Sequence, residues 1–451
     1  MSARFWIAGA QLLTQNSRRE LLRANLLIED GRIAEITKKK PKKGIKAYNA
    51  SGLTILPGFV QAHVHLCQTL FRNQADDLEL MDWLSKKIWP MEAAHTEETL
   101  HTSALLGIHE LLSSGTTCIL DMATVRHTEA VIDAVLKSGI RASVGKCLMD
   151  HPKTTPKNLR EPTLDALAET VHLFKRWNGH ASDRLRISLA PRFVVSCTEK
   201  LLLRVASLSR EEGALIHTHA SENLGEIELV KKLTRRENVE YLHALKLTGP
   251  NLVLAHCIWL KPHEMKILKN TGTHVAHCPS SNMKLASGLA RVPEMLERGI
   301  NVALGADGAP CNNNLDQFRE MRVAALIHKP GAGPKAMRAQ EVLDLATRNG
   351  AKALNWWDDI GSIELGKKAD LIALDLTRPE NMPSEQTPEA LASAIVYSSG
   401  REHLRATWVD GQMLYEHSQV SSLPLAPLLR RVTRARQTLR SRMSSRLKQS
   451  T

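Results

Sequence analysis

Eight short runs rich in β-branched and apolar residues recur along this chain, near 59–62, 116–120, 141–144, 185–189, 214–216, 252–254, 273–276 and 301–304. Between them lie stretches with helical spacing, such as 97–113, 199–212 and 262–270. Strands that alternate with helices argue for parallel βα units, and eight such units argue for a closed (β/α)8 barrel of the TIM type in an α/β protein. Barrels of this kind carry their chemistry at the C-terminal ends of the strands. The residues just after each run are therefore the first to read for function.

The first run ends in Phe59-Val60-Gln61-Ala62-His63-Val64-His65, directly after the turn signal Leu56-Pro57-Gly58. Side chains alternate faces along a strand, so His63 and His65 point the same way. Three more candidate donors follow later runs: His219, His256 and Asp307. A lone histidine is ordinarily a packing or hydrogen-bonding residue, and this chain has 19. The weight lies in the set, which falls at the ends of the first, fifth, sixth and eighth runs.

Imidazoles with a carboxylate suit Zn²⁺, with Fe²⁺ as the alternative. His63, His65, His219 and Asp307 are expected to hold one divalent ion with a position open for water, whose pKa would fall to roughly 7. The fourth run ends at Arg192, not at a bridging carboxylate, which favours one ion over two. Hydroxide could then attack an electrophilic ring carbon. Asp307 would accept the proton of the water, Glu222 would protonate a ring nitrogen, and His256 would hold the developing oxyanion or the water. His217 alternates onto the face of His219 and reads as a supporting or packing residue.

Length and composition suit this reading. A chain of 451 residues accommodates one large barrel and a small accessory domain. No apolar stretch is long enough to span a bilayer, and the start of the sequence lacks a signal-peptide pattern. Seven scattered cysteines without a Cys-x-x-Cys spacing favour free thiols and a cytoplasmic setting. The net charge of +13 suggests nucleic acid, but its location weakens that suggestion: 8 of the 13 excess charges lie between Ala426 and Thr451. A second cluster, Lys38-Lys39-Lys40-Pro41-Lys42-Lys43, reads as a turn between strands. No aromatic residues interleave with the basic ones, so a nucleic-acid partner is not expected. The expected partners are a small heteroaromatic substrate and further copies of the chain in a homo-oligomer.

Segments outside the barrel read as strands near 5–8, 22–29 and 32–37, with Asp30-Gly31 as a hairpin turn. Strands return at 361–376 and 406–414. The two chain ends are thus expected to pair into one small β-sandwich domain. The division is 1–55 for its first part, 56–358 for the barrel, 359–418 for its second part and 419–451 for a basic helical tail. Leu428, Val432, Ala435, Leu439, Met443 and Leu447 give that tail one apolar edge. It is expected to be dispensable for the chemical step, since every candidate catalytic group lies upstream of Asn314.

Several stretches resemble the amidohydrolase superfamily. They are Leu56-Pro57-Gly58-Phe59 with His63-Val64-His65, His219-Ala220-Ser221-Glu222, His277-Cys278-Pro279-Ser280-Ser281-Asn282, Gly305-Ala306-Asp307-Gly308-Ala309-Pro310-Cys311-Asn312-Asn313-Asn314, and Gly361-Ser362-Ile363-Glu364-Leu365-Gly366-Lys367-Lys368-Ala369-Asp370-Leu371. Within the superfamily the chain resembles the chlorohydrolase/aminohydrolase branch. That resemblance implies a metal-dependent aminohydrolase, a deaminase acting on a purine-type ring. A 5′-modified adenosine is the leading substrate: methylthioadenosine, S-adenosylhomocysteine or 5′-deoxyadenosine. Guanine or 8-oxoguanine is the alternative, a triazine the third, and a non-catalytic barrel scaffold the reading from another class. For the substrate, the resemblance implies Gln68 and Arg192 as base-recognising groups, Trp83 and Glu92 as the adenosine-type contacts, Glu92 binding ribose hydroxyls, and Lys146 as a further contact.

Overall fold

The structure, a computed structural model, describes residues 4–382 and 385–450, the side chains of 445–450 apart. Eight parallel strands follow one another in both sequence and space: Phe59–His65, Thr116–Met122, Arg141–Leu148, Leu185–Pro191, Ile216–Ala220, Leu252–His256, His274–His277 and Val302–Leu304. The chain then continues to Asp307-Gly308, which pairs in parallel with Val64 and His65 of the first strand and closes the barrel. The first three strands are buried at every position. That is why they read as continuous apolar runs: a parallel strand with helices outside and other strands inside has no wet face.

The helices start and stop where local chemistry directs. Glu97–Leu112 begins at Thr96, whose hydroxyl accepts the Thr99 N–H in a reciprocal capping box. Glu199–Glu212 begins at Thr198, which accepts the Leu201 N–H, and ends at Gly213 in the left-handed region. One glycine is needed for closure. A Cβ on Gly305 would lie 2.7–2.9 Å from His63 atoms, so only glycine lets the eighth strand approach the first this closely.

A second sheet joins both chain ends. Its strands Arg4–Leu13, Leu21–Glu29, Arg32–Thr37 and Thr54–Pro57 meet Leu371–Leu374, Leu404–Val409, Gln412–Glu416 and Gln419–Val420, while Lys46–Asn49 pairs with the first of them. The seam between sheet and barrel carries a buried ion pair. Arg141, on the third barrel strand, donates to both oxygens of Asp370 at 2.7 and 3.0 Å and also to Asp410.

A helix from Leu425 to Ser450 lies against Glu97–Leu112. Leu428, Ala435 and Leu439 are buried in the main core, with Val432 and Met443 partly so. The Leu447 side chain lies outside the described residues. Among the described residues no helix is long and apolar enough to cross a membrane.

Candidate metal centre and active site

Five sequence-predicted donors meet at the C-terminal mouth of the barrel. Four are imidazoles, and each has its Nδ1 engaged by a partner outside the centre. His63 Nδ1 meets His217 Nε2 at 2.6 Å, His65 Nδ1 the Met122 carbonyl at 2.9 Å, His219 Nδ1 the Arg192 carbonyl at 2.7 Å, and His256 Nδ1 the Asn282 Oδ1 at 2.8 Å. Such outer partners fix tautomer and ring orientation, and they leave Nε2 to face inward.

The inward atoms crowd together. His65 Nε2 is 3.3 Å from His219 Nε2, and Asp307 Oδ1 is 3.2 Å from His63 Nε2 and 3.4 Å from His65 Nε2. Neighbouring ligands about 2.0–2.1 Å from a shared ion sit roughly 2.8–3.6 Å from each other in four- or five-fold coordination, so the donor spacing fits such an ion. His63, His219, His256 and Asp307 offer ligand atoms that all lie within 4.8 Å of one another. His256 thus falls within that spacing of three of the four residues expected to bind the ion. Among the described residues its Nε2 has no hydrogen-bond partner.

Electrostatics prepares these groups for a cation. Burial first, then the neighbouring imidazoles, pushes His65 down to about 3 and His219 well below the ordinary histidine value. His63 is lowered by burial as well, despite Asp307 beside it. The rings are therefore neutral, with lone pairs available. For Asp307, burial opposes ionisation, but the hydrogen bond to His63 and the surrounding imidazoles outweigh it and hold the carboxyl well below its usual range. Its Oδ2 accepts from Ser281 Oγ at 2.6 Å. Glu222 lies the other way: burial, with Asp307 and Glu226 nearby, raises it well above the usual carboxyl range. Burial thus favours its protonated form, and it lies 3.5 Å from His256 Nε2. Backbone strain marks the same places, with φ of +74° at His256, +61° at Asp307 and +54° at Ser221.

Of the five residues expected to contact substrate, Gln68, Trp83 and Arg192 line the cavity above these donors, together with Leu80, Leu84 and Phe193. Gln68 Oε1 and Trp83 Nε1 are buried and without partners among the described residues. A Cβ on Gly308 would lie 2.0 Å from Gln68 Oε1, so a side chain there would have to displace the Gln68 amide. Glu92 sits behind the lining. Its Oε2 accepts Arg192 Nη1 at 2.6 Å, and its Oε1 accepts Arg192 Nη2 at 3.1 Å and Gln68 Nε2 at 2.9 Å. Both oxygens are engaged by Arg192 and Gln68, so Glu92, expected to bind ribose hydroxyls, stands one layer back from the cavity surface. Lys146 is not brought to the cavity. It is fully buried and contacts Glu161 at 2.8 Å, Glu169 at 2.9 Å and the Val125 carbonyl.

Sequence reasoning assigned no role to Ser281, Asn282 or Glu226. The first two lie in the His277–Asn282 stretch that had been noted only as a resemblance. Glu226 Oε2 accepts the Glu222 N–H at 2.7 Å, and its Oε1 accepts from Asn238. The signal was present as a capping box, Asn223 followed three residues later by Glu226.

The chain is similar over most of its length to known proteins. The model of the amidohydrolase family matches residues 54–414. A 5′-deoxyadenosine deaminase of Methanosarcina mazei is 37% identical over 97% of this chain and 99% of its own. A 5-methylthioadenosine/S-adenosylhomocysteine deaminase of Syntrophobacter fumaroxidans is 36% identical over 88% of each. Among solved structures, an adenosine deaminase of Xanthomonas campestris with bound zinc superposes with a TM-score of 0.89 at 28% identity, covering 97% of this chain and 98% of that one.

Proposed function

This chain belongs to the amidohydrolase family, and on that premise we propose that it is a metal-dependent aminohydrolase that deaminates a 5′-modified adenosine. The observation that carries the reading is the convergence of inward Nε2 atoms and the Asp307 carboxylate beside the buried carboxyl of Glu222, 3.5 Å from His256 Nε2. Support for the substrate class comes from relatives that are deaminases of 5′-deoxyadenosine and of 5-methylthioadenosine/S-adenosylhomocysteine. Zn²⁺ is the leading ion, given the donor set and the bound zinc of the Xanthomonas enzyme, with Fe²⁺ as the alternative.

An ion held by His63, His65, His219 and Asp307 would supply Lewis acidity and bring the pKa of a water near 7. The residues of the chain do the rest. Asp307 takes the proton of the attacking water, and Glu222 gives its proton to the ring nitrogen next to the carbon under attack. His256 Nε2, 3.5 Å from Glu222, accepts a hydrogen bond from the hydroxyl being added and so orients it. A carbon–oxygen bond forms; the carbon–nitrogen bond then breaks as ammonia leaves with the proton that Asp307 took, and the proton of the added hydroxyl returns to Glu222. Trp83, Leu80, Leu84 and Phe193 flank the ring and keep bulk water away from it.

A second reading, guanine or 8-oxoguanine, is favoured by one observation. Gln68 and Arg192 stand together on the wall, while Glu92 is already tied to both. Ammonia release separates the readings. Turnover of 5′-deoxyadenosine, 5′-methylthioadenosine or S-adenosylhomocysteine, with free guanine and 8-oxoguanine inert, is expected; the opposite pattern rejects the nucleoside.

A further inference from the structure

We infer that the C-terminal helix braces one wall of the reaction cavity, with Arg442 acting as the positioning residue. The inference rests on the functional reading above only in treating that cavity as the substrate site.

The wall is one continuous helical segment built from Leu80–Trp83, Leu84–Ile88 and Trp89–Ala93. Leu80, Trp83 and Leu84 face the cavity, and Glu92, further along, holds Arg192 and Gln68. Its middle is wide-pitched: the Trp89 N–H reaches back five residues to the Leu84 carbonyl, just before Pro90, which has no N–H to give. Such a segment has fewer bonds holding its register than an ordinary helix, so its end needs an anchor.

The anchor comes from 348 residues away. Arg442 Nε donates to the Ala94 carbonyl at 2.7 Å. Ala94 caps the segment that carries Glu92, and terminal carbonyls of a helix lack partners within it. A guanidinium at that end also suits the helix dipole. The helix that delivers Arg442 is itself fixed. Leu439 on the turn before it is buried and Met443 beside it partly so. Arg431 Nη2 donates to His101 Nδ1 at 2.9 Å on the Glu97–Leu112 helix, and His101 Nε2 reaches Asp133 at 2.8 Å. A purely solvated basic tail would not place its arginines on backbone and ring acceptors of the catalytic barrel.

The test uses the full-length, metal-loaded enzyme and the variants Arg442→Ala, Arg442→Lys and Arg436→Ala, the last an exposed arginine on the same helix. Amide hydrogen exchange is followed in peptides covering 80–95, alongside kinetics on the adenosine that the wild type turns over. Arg442→Ala is expected to speed exchange at 88–95 and to raise KM by roughly three- to tenfold, with kcat within about twofold and metal content unchanged. Arg442→Lys should recover part of both effects, and Arg436→Ala should match the wild type. Unchanged exchange and KM in Arg442→Ala would overturn the brace, as would a loss confined to melting temperature or an equal effect of Arg436→Ala. If the wild type turns over none of the adenosines, the functional reading fails and the exchange data alone decide the brace.

Discussion

The four inward histidines and the Gln68–Glu92–Arg192 wall face one cavity, yet they are held in place differently. Each histidine has its own outer partner: His217, Met122, Arg192 or Asn282. The wall residues hold one another, with three hydrogen bonds converging on the single carboxylate of Glu92. Donors with separate outer partners can be lost one at a time. A wall built around one buried ion pair stands or falls as a unit, because either charge left alone is buried without compensation.

The largest effect is expected on the donor side. Removing a central donor in His63→Ala should empty the metal site and bring turnover to background, with the fold retained. Elemental analysis of purified protein should fall from about one ion per chain to a small fraction of that. Two ions per chain in the wild type, or an active and metal-free His63→Ala, would reject the single-ion centre.

On the wall side, Arg192→Met and Glu92→Leu should each destabilise the protein by about 3–5 kcal/mol, the range for breaking a buried pair. The double replacement Glu92→Leu with Arg192→Met should cost far less than the sum, since it leaves no orphaned charge. Denaturant unfolding of the four proteins closes the cycle. Additive losses would mean that the pair is not coupled and that the contrast with the donor side is false. The same coupling means that activity losses in the two single variants cannot separate ribose recognition from base recognition.

Glu222→Gln touches neither device. It keeps the shape and the backbone bond to Glu226 but removes the transferable proton. Turnover should drop by at least ~10²-fold with metal content intact, the lower range for a positioned proton donor. Loss of metal instead would make Glu222 part of the donor side.

The contrast also explains what could be read from the sequence. His63, His65, His219, His256 and Asp307 follow apolar runs, and strand periodicity alone aims them to one side of a barrel. Glu92 and Arg192 are separated by 100 residues and meet only because a helical segment folds over the mouth, which no local pattern encodes. Lys146 follows a predicted run as Arg192 does, but in the barrel it lies inside the strand Arg141–Leu148 and contacts Glu161 and Glu169 away from the cavity. The strand Lys46–Asn49 is mostly exposed and carries no alternation to betray it. Thr54–Pro57 was hidden by Pro57-Gly58, which reads as a turn although a proline that ends a strand needs no ladder N–H there. The tail's apolar edge announced a docked helix; what Arg442 reaches could not be read from spacing.

The smallest of these effects sharpens the donor side itself. His256 has two possible duties, ligand or holder of the added oxygen, and Asn282 is where they can be told apart. Asn282 Oδ1 lies 2.8 Å from His256 Nδ1. That oxygen can only accept, so the ring proton sits on Nδ1 and the lone pair of Nε2 faces Glu222 and Asp307, at 3.5 and 3.9 Å. Asn282→Ala frees the ring to rotate and to change tautomer. Losing such an outer partner costs roughly 10–100-fold in metal affinity or activity. If His256 only steadies the oxygen, the loss appears in kcat while zinc affinity, measured by competition with a chelator, stays at the wild-type value. If His256 shares the ion with His63, His219 and Asp307, zinc affinity falls by that factor and added zinc restores turnover. Asn282→Asp keeps an acceptor for Nδ1 and should behave close to the wild type in either case. A defect in Asn282→Asp as deep as that of Asn282→Ala would show that ring orientation is not what Asn282 supplies.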